Sequence, residues 1–106
     1  MLLGTNSHLD HHFSARDSIH NYYERLVIDQ VIRSSDRASS DSDFLADVTC
    51  VALNHLPPRY IRHDVDMTFF LSPVELEEMA DKVVKAVNDA VSYVEEREQL
   101  NQKAPE

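Results

Sequence analysis

Glycine occurs once, as Gly4, and tryptophan is absent from the 106 residues. Rossmann turns and P-loops need glycine where the backbone closes on phosphate, so both are excluded. Glycine scarcity also argues against an all-β chain, whose tight hairpins need positive φ. Cysteine occurs once, which rules out an intramolecular disulfide and a multi-cysteine zinc site. Cys50 lies between Val48 and Val51 in an apolar pattern and reads as a core filler. Bases are few: 10 Lys and Arg face 19 Asp and Glu, a formal charge of −9. Long DNA or RNA needs a broad basic face for counterion release, and this chain offers none. No apolar run approaches the length of a membrane span, and Met1-Leu2-Leu3 is too short for a signal peptide. The expected location is therefore cytoplasmic, without membrane association. Nor is there a Gly-x-Ser-x-Gly, an HExxH or a recognisable Cys/His pairing. Asp64 and Asp66 alternate with apolar residues as a solvent face does. No enzymatic activity is expected.

What remains is a helical composition with 42% hydrophobic residues, enough for one domain with one core. A domain this small often gains stability by oligomerising. Residues 1–13 show no periodicity and read as a flexible arm; His8, His11 and His12 lack a companion ligand on a fixed scaffold, so no metal site is assigned to them. A first helix is expected from near Ser14, where Ser14 and Asp17 have capping-box spacing. Its apolar set, Ile19, Tyr22, Tyr23, Leu26, Val27, Ile28, Val31 and Ile32, covers too wide an arc for a one-sided helix. It therefore reads as central, or as packed against a second chain. Ser34 to Asp43 is serine- and aspartate-rich and reads as a flexible loop ending in a helix cap at Ser42 or Asp43. A second helix over 43–55 carries Phe44, Leu45, Val48, Val51, Ala52, Leu53 and Leu56 at three- and four-residue steps. From Ile61 the period changes: Val65, Met67, Phe69 and Leu71 alternate with Asp64, Asp66, Thr68 and Phe70, a half-buried strand. Its partner is either residues 59–63 folding back or the same strand of a second chain, and the lack of turn residues favours the second chain. Ser72-Pro73-Val74-Glu75 starts a third helix over 73–97, with Leu76, Met79, Val83, Val87, Ala90 and Val94 as its stripe. At 1.5 Å per residue it is on the order of 35 Å long, more than a small domain requires. The polar tail, 98–106, is expected to fray.

Between the second helix and the strand lies Leu56-Pro57-Pro58-Arg59-Tyr60-Ile61-Arg62-His63, and no acid occurs between Asp47 and Asp64. The prolines fix their own φ and bias the preceding residue away from the helical region, so the helix should end at Leu56 and the chain leave it extended. Two arginine forks and a tyrosine face held on stiff backbone suit a small planar anion such as a nucleotide phosphate. The alternative is a plain helix terminator whose arginines neutralise nearby carboxylates. On the binding reading, Arg59 and Arg62 fork onto phosphates, Tyr60 or Tyr22 stacks on a base, and His55 and His63 add hydrogen bonds. Asn21 and Glu24, spaced as neighbours on one helix face, either read a base edge or form a buried polar pair that holds helices in register.

Three stretches, Asn21-Tyr22-Tyr23-Glu24, Phe44-Leu45-Ala46-Asp47-Val48 with Cys50-Val51-Ala52-Leu53-Asn54, and Leu56-Pro57-Pro58-Arg59-Tyr60, resemble the late competence development protein ComFB family. The resemblance covers roughly residues 15–95. It implies a small, mainly helical, dimeric bacterial protein. Several members are receptors for cyclic dinucleotides, chiefly cyclic di-GMP and in some cyanobacteria cyclic di-AMP, linked to competence, motility or cell size. It also implies ligand contacts on Arg59, Tyr60 and Arg62, with Asn21, Glu24 and Arg25 nearby. Some relatives bind zinc through a cysteine set; with Cys50 alone, that property does not carry over and no cofactor is expected. The combined expectation is a mainly α, three-helix domain over 14–97 with a short extended segment after the Pro-Pro pair. It forms a homodimer and binds a cyclic dinucleotide beside the twofold, signalling through an unidentified protein partner. The rival reading is a constitutive interaction module whose arginines dock an acidic partner.

Overall fold

A computed structural model describes residues 18–63 and 71–103. In chain order it has β1 (His20–Asn21), α1 (Tyr23–Ser34), a 3-10 turn (Asp36–Ser39), α2 (Ser42–Asn54), β2 (Tyr60–Ile61) and α3 (Pro73–Lys103). Among the described residues the expected mainly α, three-helix architecture is what the chain adopts. Each helix packs on the other two. Tyr23, Val27 and Val31 of α1 recur every fourth residue and are buried, as are Phe44, Val48 and Ala52 of α2. From α3 come Val83, Ala86, Val87, Ala90 and Val94. Such spacing puts each set on one side of its helix, so the three stripes meet in a single core.

Several boundaries differ from the sequence reading. Ser14, the expected start of the first helix, lies outside the described residues, as does the arm over 1–13. Within them the chain is not helical at His20–Asn21: these residues pair antiparallel with Tyr60–Ile61, His20 opposite Ile61 and Asn21 opposite Tyr60. The helix starts only at Tyr23, because the Asn21 side chain takes the Tyr23 N–H as an Asx turn does. Arg59 to Ile61 are thus partnered within the same chain, by the residues just before the helix. The strand expected over Val65–Leu71 lies, but for Leu71, outside the described residues.

The serine- and aspartate-rich segment is an ordered turn. Ala38 is buried within it, and Asp41, not Ser42 or Asp43, caps α2 by accepting the Phe44 N–H at 3.0 Å. Arg37 fixes the turn in three directions: onto Glu98 of α3 (2.8 and 2.6 Å), onto Asp41 (3.1 Å), and over the Phe44 ring 4.2 Å from its centroid. Glu98 was expected to begin a frayed tail; held by this fork, it lies inside α3, which continues to Lys103 over 31 residues, about 46 Å at the usual rise. Cys50, expected in the core, is exposed. It stands two residues from Val48, on the side of α2 away from the Phe44–Val48–Ala52 stripe. The proline pair ends α2 as expected, though the helix stops at Asn54. His55 and Leu56 donate to the Ala52 and Leu53 carbonyls, tightening the last turn, and Leu56 is the final core residue. Ser72 caps α3, its hydroxyl accepting the Glu75 N–H at 3.2 Å.

Candidate ligand-binding site

Pro57 and Pro58 carry the chain out of α2 on a backbone with fixed φ. Arg59 is then pinned. Its N–H donates to Asn21 Oδ1 at 3.0 Å, and its carbonyl accepts the Tyr22 N–H at 2.7 Å. The same Asn21 oxygen accepts the Tyr23 N–H at 3.2 Å. One side chain therefore joins the start of α1 to a segment 38 residues away. Asn21 is a latch between elements, closer to the register-holding reading than to a base reader. It does not share a helix face with Glu24, because it belongs to β1.

Alternation along the extended segment separates the expected cluster. Side chains two residues apart share a face, which groups Tyr60 with Arg62 and Arg59 with Ile61. Tyr60 is 67% exposed while Ile61 is half-buried. Arg62 and His63 are exposed beyond it. Arg59 turns toward α1 and α3, where it lines a cavity of about 270 Å³ with Tyr23, Pro57, Pro58, Leu71, Glu75, Glu78, Met79 and Lys82. Burial raises the Tyr23 phenol pKa, and the Arg59 charge opposes that shift. Among the described residues neither Arg59 nor Arg62 forms an ion pair; the pairs present are Arg37–Asp41, Arg37–Glu98 and Lys85–Asp89. No described carboxylate is thus engaged by either arginine.

Glu24 and Arg25 line a separate hollow of about 360 Å³ with His20, Ile28 and Asp29, reached from the β1 side. Tyr22 is half-buried, and its backbone serves the Arg59 contact. His55 lies with Nδ1 2.8 Å from the Val51 carbonyl and lines a mostly apolar groove of about 450 Å³ with Asn54, Asp89 and Tyr93. That groove holds no arginine or lysine and is a poorer anion site than the Arg59 cavity. Sequence reasoning missed Tyr23, Glu75, Glu78, Met79 and Lys82. The one signal for the last four is that 75, 78, 79 and 82 share a helix face, but nothing local aims that face at the proline segment. Among the described residues no group of three or more His, Cys, Asp and Glu is placed to hold a metal ion. No helix among them is long and apolar enough to cross a membrane.

Comparison with curated proteins and with solved structures gives no match. The family model for late competence development protein ComFB matches residues 20–98. Its limits coincide with structural ones: it opens at His20, where β1 pairs with β2, and closes at Glu98, where the Arg37 fork anchors α3. With the Asn21 latch, the Pro57-Pro58 segment and all three helix stripes inside that span, the chain belongs to the late competence development protein ComFB family.

Proposed function

We propose that this protein is a cytoplasmic receptor that binds a cyclic dinucleotide, with cyclic di-GMP as the first ligand, and passes its occupancy to a protein partner without consuming the ligand. The observation that carries the reading is the strand segment at Tyr60: Tyr60, Arg62 and His63 project to solvent from a backbone fixed by Asn21, with no carboxylate engaging Arg59 or Arg62 among the described residues. A strip with a stacking face and an exposed arginine fork meets the needs of a base joined to a phosphate. Hydrogen bonds to a charged phosphate contribute about 1.5–3 kcal/mol each, and stacking of a base on an aromatic face adds about 1–3 kcal/mol. Family membership supports the ligand class. The protein acts as a homodimer on this reading, and Ile28 and Ile32, both exposed on one side of α1, supply an apolar face for a second copy.

Calorimetric titration with cyclic di-GMP, against cyclic di-AMP and GTP, tests the reading. Saturable binding of one cyclic ligand, strongly weakened by Arg62→Ala with the oligomeric state unchanged, is the expected result. Silence with all three ligands would leave the constitutive interaction module as the better description. Loss of ligand during incubation would mean an enzyme.

A further inference from the structure

The Arg59 cavity has a composition that the phosphate reading does not use. Its about 270 Å³ is bounded by Pro57 and Pro58 on one side and by α3 on the other. Into it come two cations, Arg59 and Lys82, and two carboxylates, Glu75 and Glu78. None of the four is in an ion pair among the described residues. Glu78 and Lys82 are one helical turn apart in the order that normally favours pairing, yet they do not pair. Acceptors and donors therefore line the same solvent-open hollow, and none of the four is paired with another described residue. The space equals the share of about nine waters in the liquid, room for a purine bicycle. Proline and Met79 provide apolar surface for ring faces.

The complement of such a lining is a planar group with adjacent donors on one edge and acceptors on another. Guanine has that pattern: N1–H and the N2 amino group donate to a carboxylate, while O6 and N7 accept from arginine or lysine. Adenine presents an acceptor at N1, which faces a carboxylate lone pair unfavourably. We propose that this cavity is a guanine-selective base subsite, with Glu75 and Glu78 as the specificity-determining carboxylates and Arg59 and Lys82 as donors to the opposite edge. The proposal rests on the cyclic dinucleotide reading for its ligand and adds the choice of base. A bidentate contact of this kind discriminates by about 10–100-fold.

The test is titration of the full chain and of a Glu75→Gln/Glu78→Gln variant with cyclic di-GMP and cyclic di-AMP, folding being checked by circular dichroism. Both side chains are exposed, so the variant should fold. The expected result is a guanine preference of about 10–100-fold in the wild type, lost in the variant while cyclic di-AMP binding holds or tightens. An unchanged preference in the variant overturns the subsite. A separate readout distinguishes this failure from failure of the receptor reading: amide shifts of residues 75–82 on adding guanosine 5′-monophosphate or adenosine 5′-monophosphate. Shifts with the guanosine nucleotide alone, alongside silence toward both cyclic ligands, would retain the base subsite and reject the receptor. Equal response to both mononucleotides, or to neither, would reject the subsite.

Discussion

Asn21 is predicted to act through backbone geometry, and two substitutions isolate that role. Asn21→Ala removes one oxygen and with it two acceptor contacts, to Tyr23 N–H at 3.2 Å and Arg59 N–H at 3.0 Å. The first is a helix-start contact of the kind worth about 1 kcal/mol. The second is exposed and adds about 0.5 kcal/mol. A domain of this size shifts its Tm by roughly 4–8 °C per kcal/mol, so the variant should melt about 6–12 °C lower. Asn21→Asp keeps an acceptor in place and puts a negative charge near the start of α1, where the helix dipole favours it. It should recover most of the loss. Amide exchange adds site resolution: the Arg59 amide should lose protection in Asn21→Ala and keep it in Asn21→Asp. The two variants also separate the sequence alternatives for ligand binding. A latch tolerates aspartate with little loss of affinity, whereas a side chain reading a base edge through its amide donors does not. If Asn21→Ala melts with the wild type, or if aspartate fails as alanine does, the latch assignment is wrong.

Three further outcomes follow from the same contacts. Hydrogen bonds from Phe44 N–H and Arg37 hold the Asp41 pKa down, and the Arg37 fork holds that of Glu98 down. Both groups therefore stabilise the fold above the ordinary carboxylate range near about pH 4. That contribution should be lost as pH falls through their lower folded values, and urea midpoints should show a smaller acid dependence in Arg37→Ala than in the wild type. The same variant should lose helical signal and amide protection beyond Glu98, since the fork holds α3 to the turn. Cys50 should react with a thiol reagent in native buffer as fast as in denaturant, where a core cysteine would be protected. Ile28→Glu should dissociate any dimer built on the exposed side of α1, with sedimentation velocity showing monomer and circular dichroism unchanged.

The helices were legible because their determinants are local. Val27 and Val31, Phe44 to Ala52, and Val83 to Val94 repeat at helical steps, and the Ser72 cap and the Pro57-Pro58 stop lie within a few residues of the ends they set. Where the reading failed, the determinant lay elsewhere in the chain. No glycine or proline marks the break before α1. It arises because Arg59 to Ile61 offer a strand partner to His20 and Asn21. The turn at Asp36–Ser39 looks loose in composition, and its order comes from Arg37 reaching 61 residues along the chain to Glu98. Cys50 was misplaced for a more local reason: apolar neighbours on both sides suggest burial, yet two residues turn a helix about 200°, so Cys50 faces away from the Val48 side.

The candidate stretch stood out in the sequence, but the arrangement of its side chains did not. Arg59, Tyr60, Arg62 and His63 stand together in sequence, which invites a single patch. An extended backbone cannot present consecutive side chains on one face, because its period is two. Tyr60 and Arg62 go outward, and Arg59, also exposed, borders the hollow shared with Tyr23 and the first turns of α3. The motif therefore borders two surfaces: an exposed strip at Tyr60 and Arg62, which the proposed function makes the stacking and phosphate face, and a hollow bearing carboxylates. A mononucleotide can engage one of them. On the proposed reading, a ligand with two bases on a phosphate ring places a base in the hollow and its phosphates at Arg62. On that geometry Arg59 and Arg62 make unequal contributions: Arg59→Ala should weaken base discrimination as well as affinity, whereas Arg62→Ala should weaken both cyclic ligands alike. Equal loss of discrimination in the two variants would mean that both arginines face the same group, and that the strand alternation does not govern how the ligand is held.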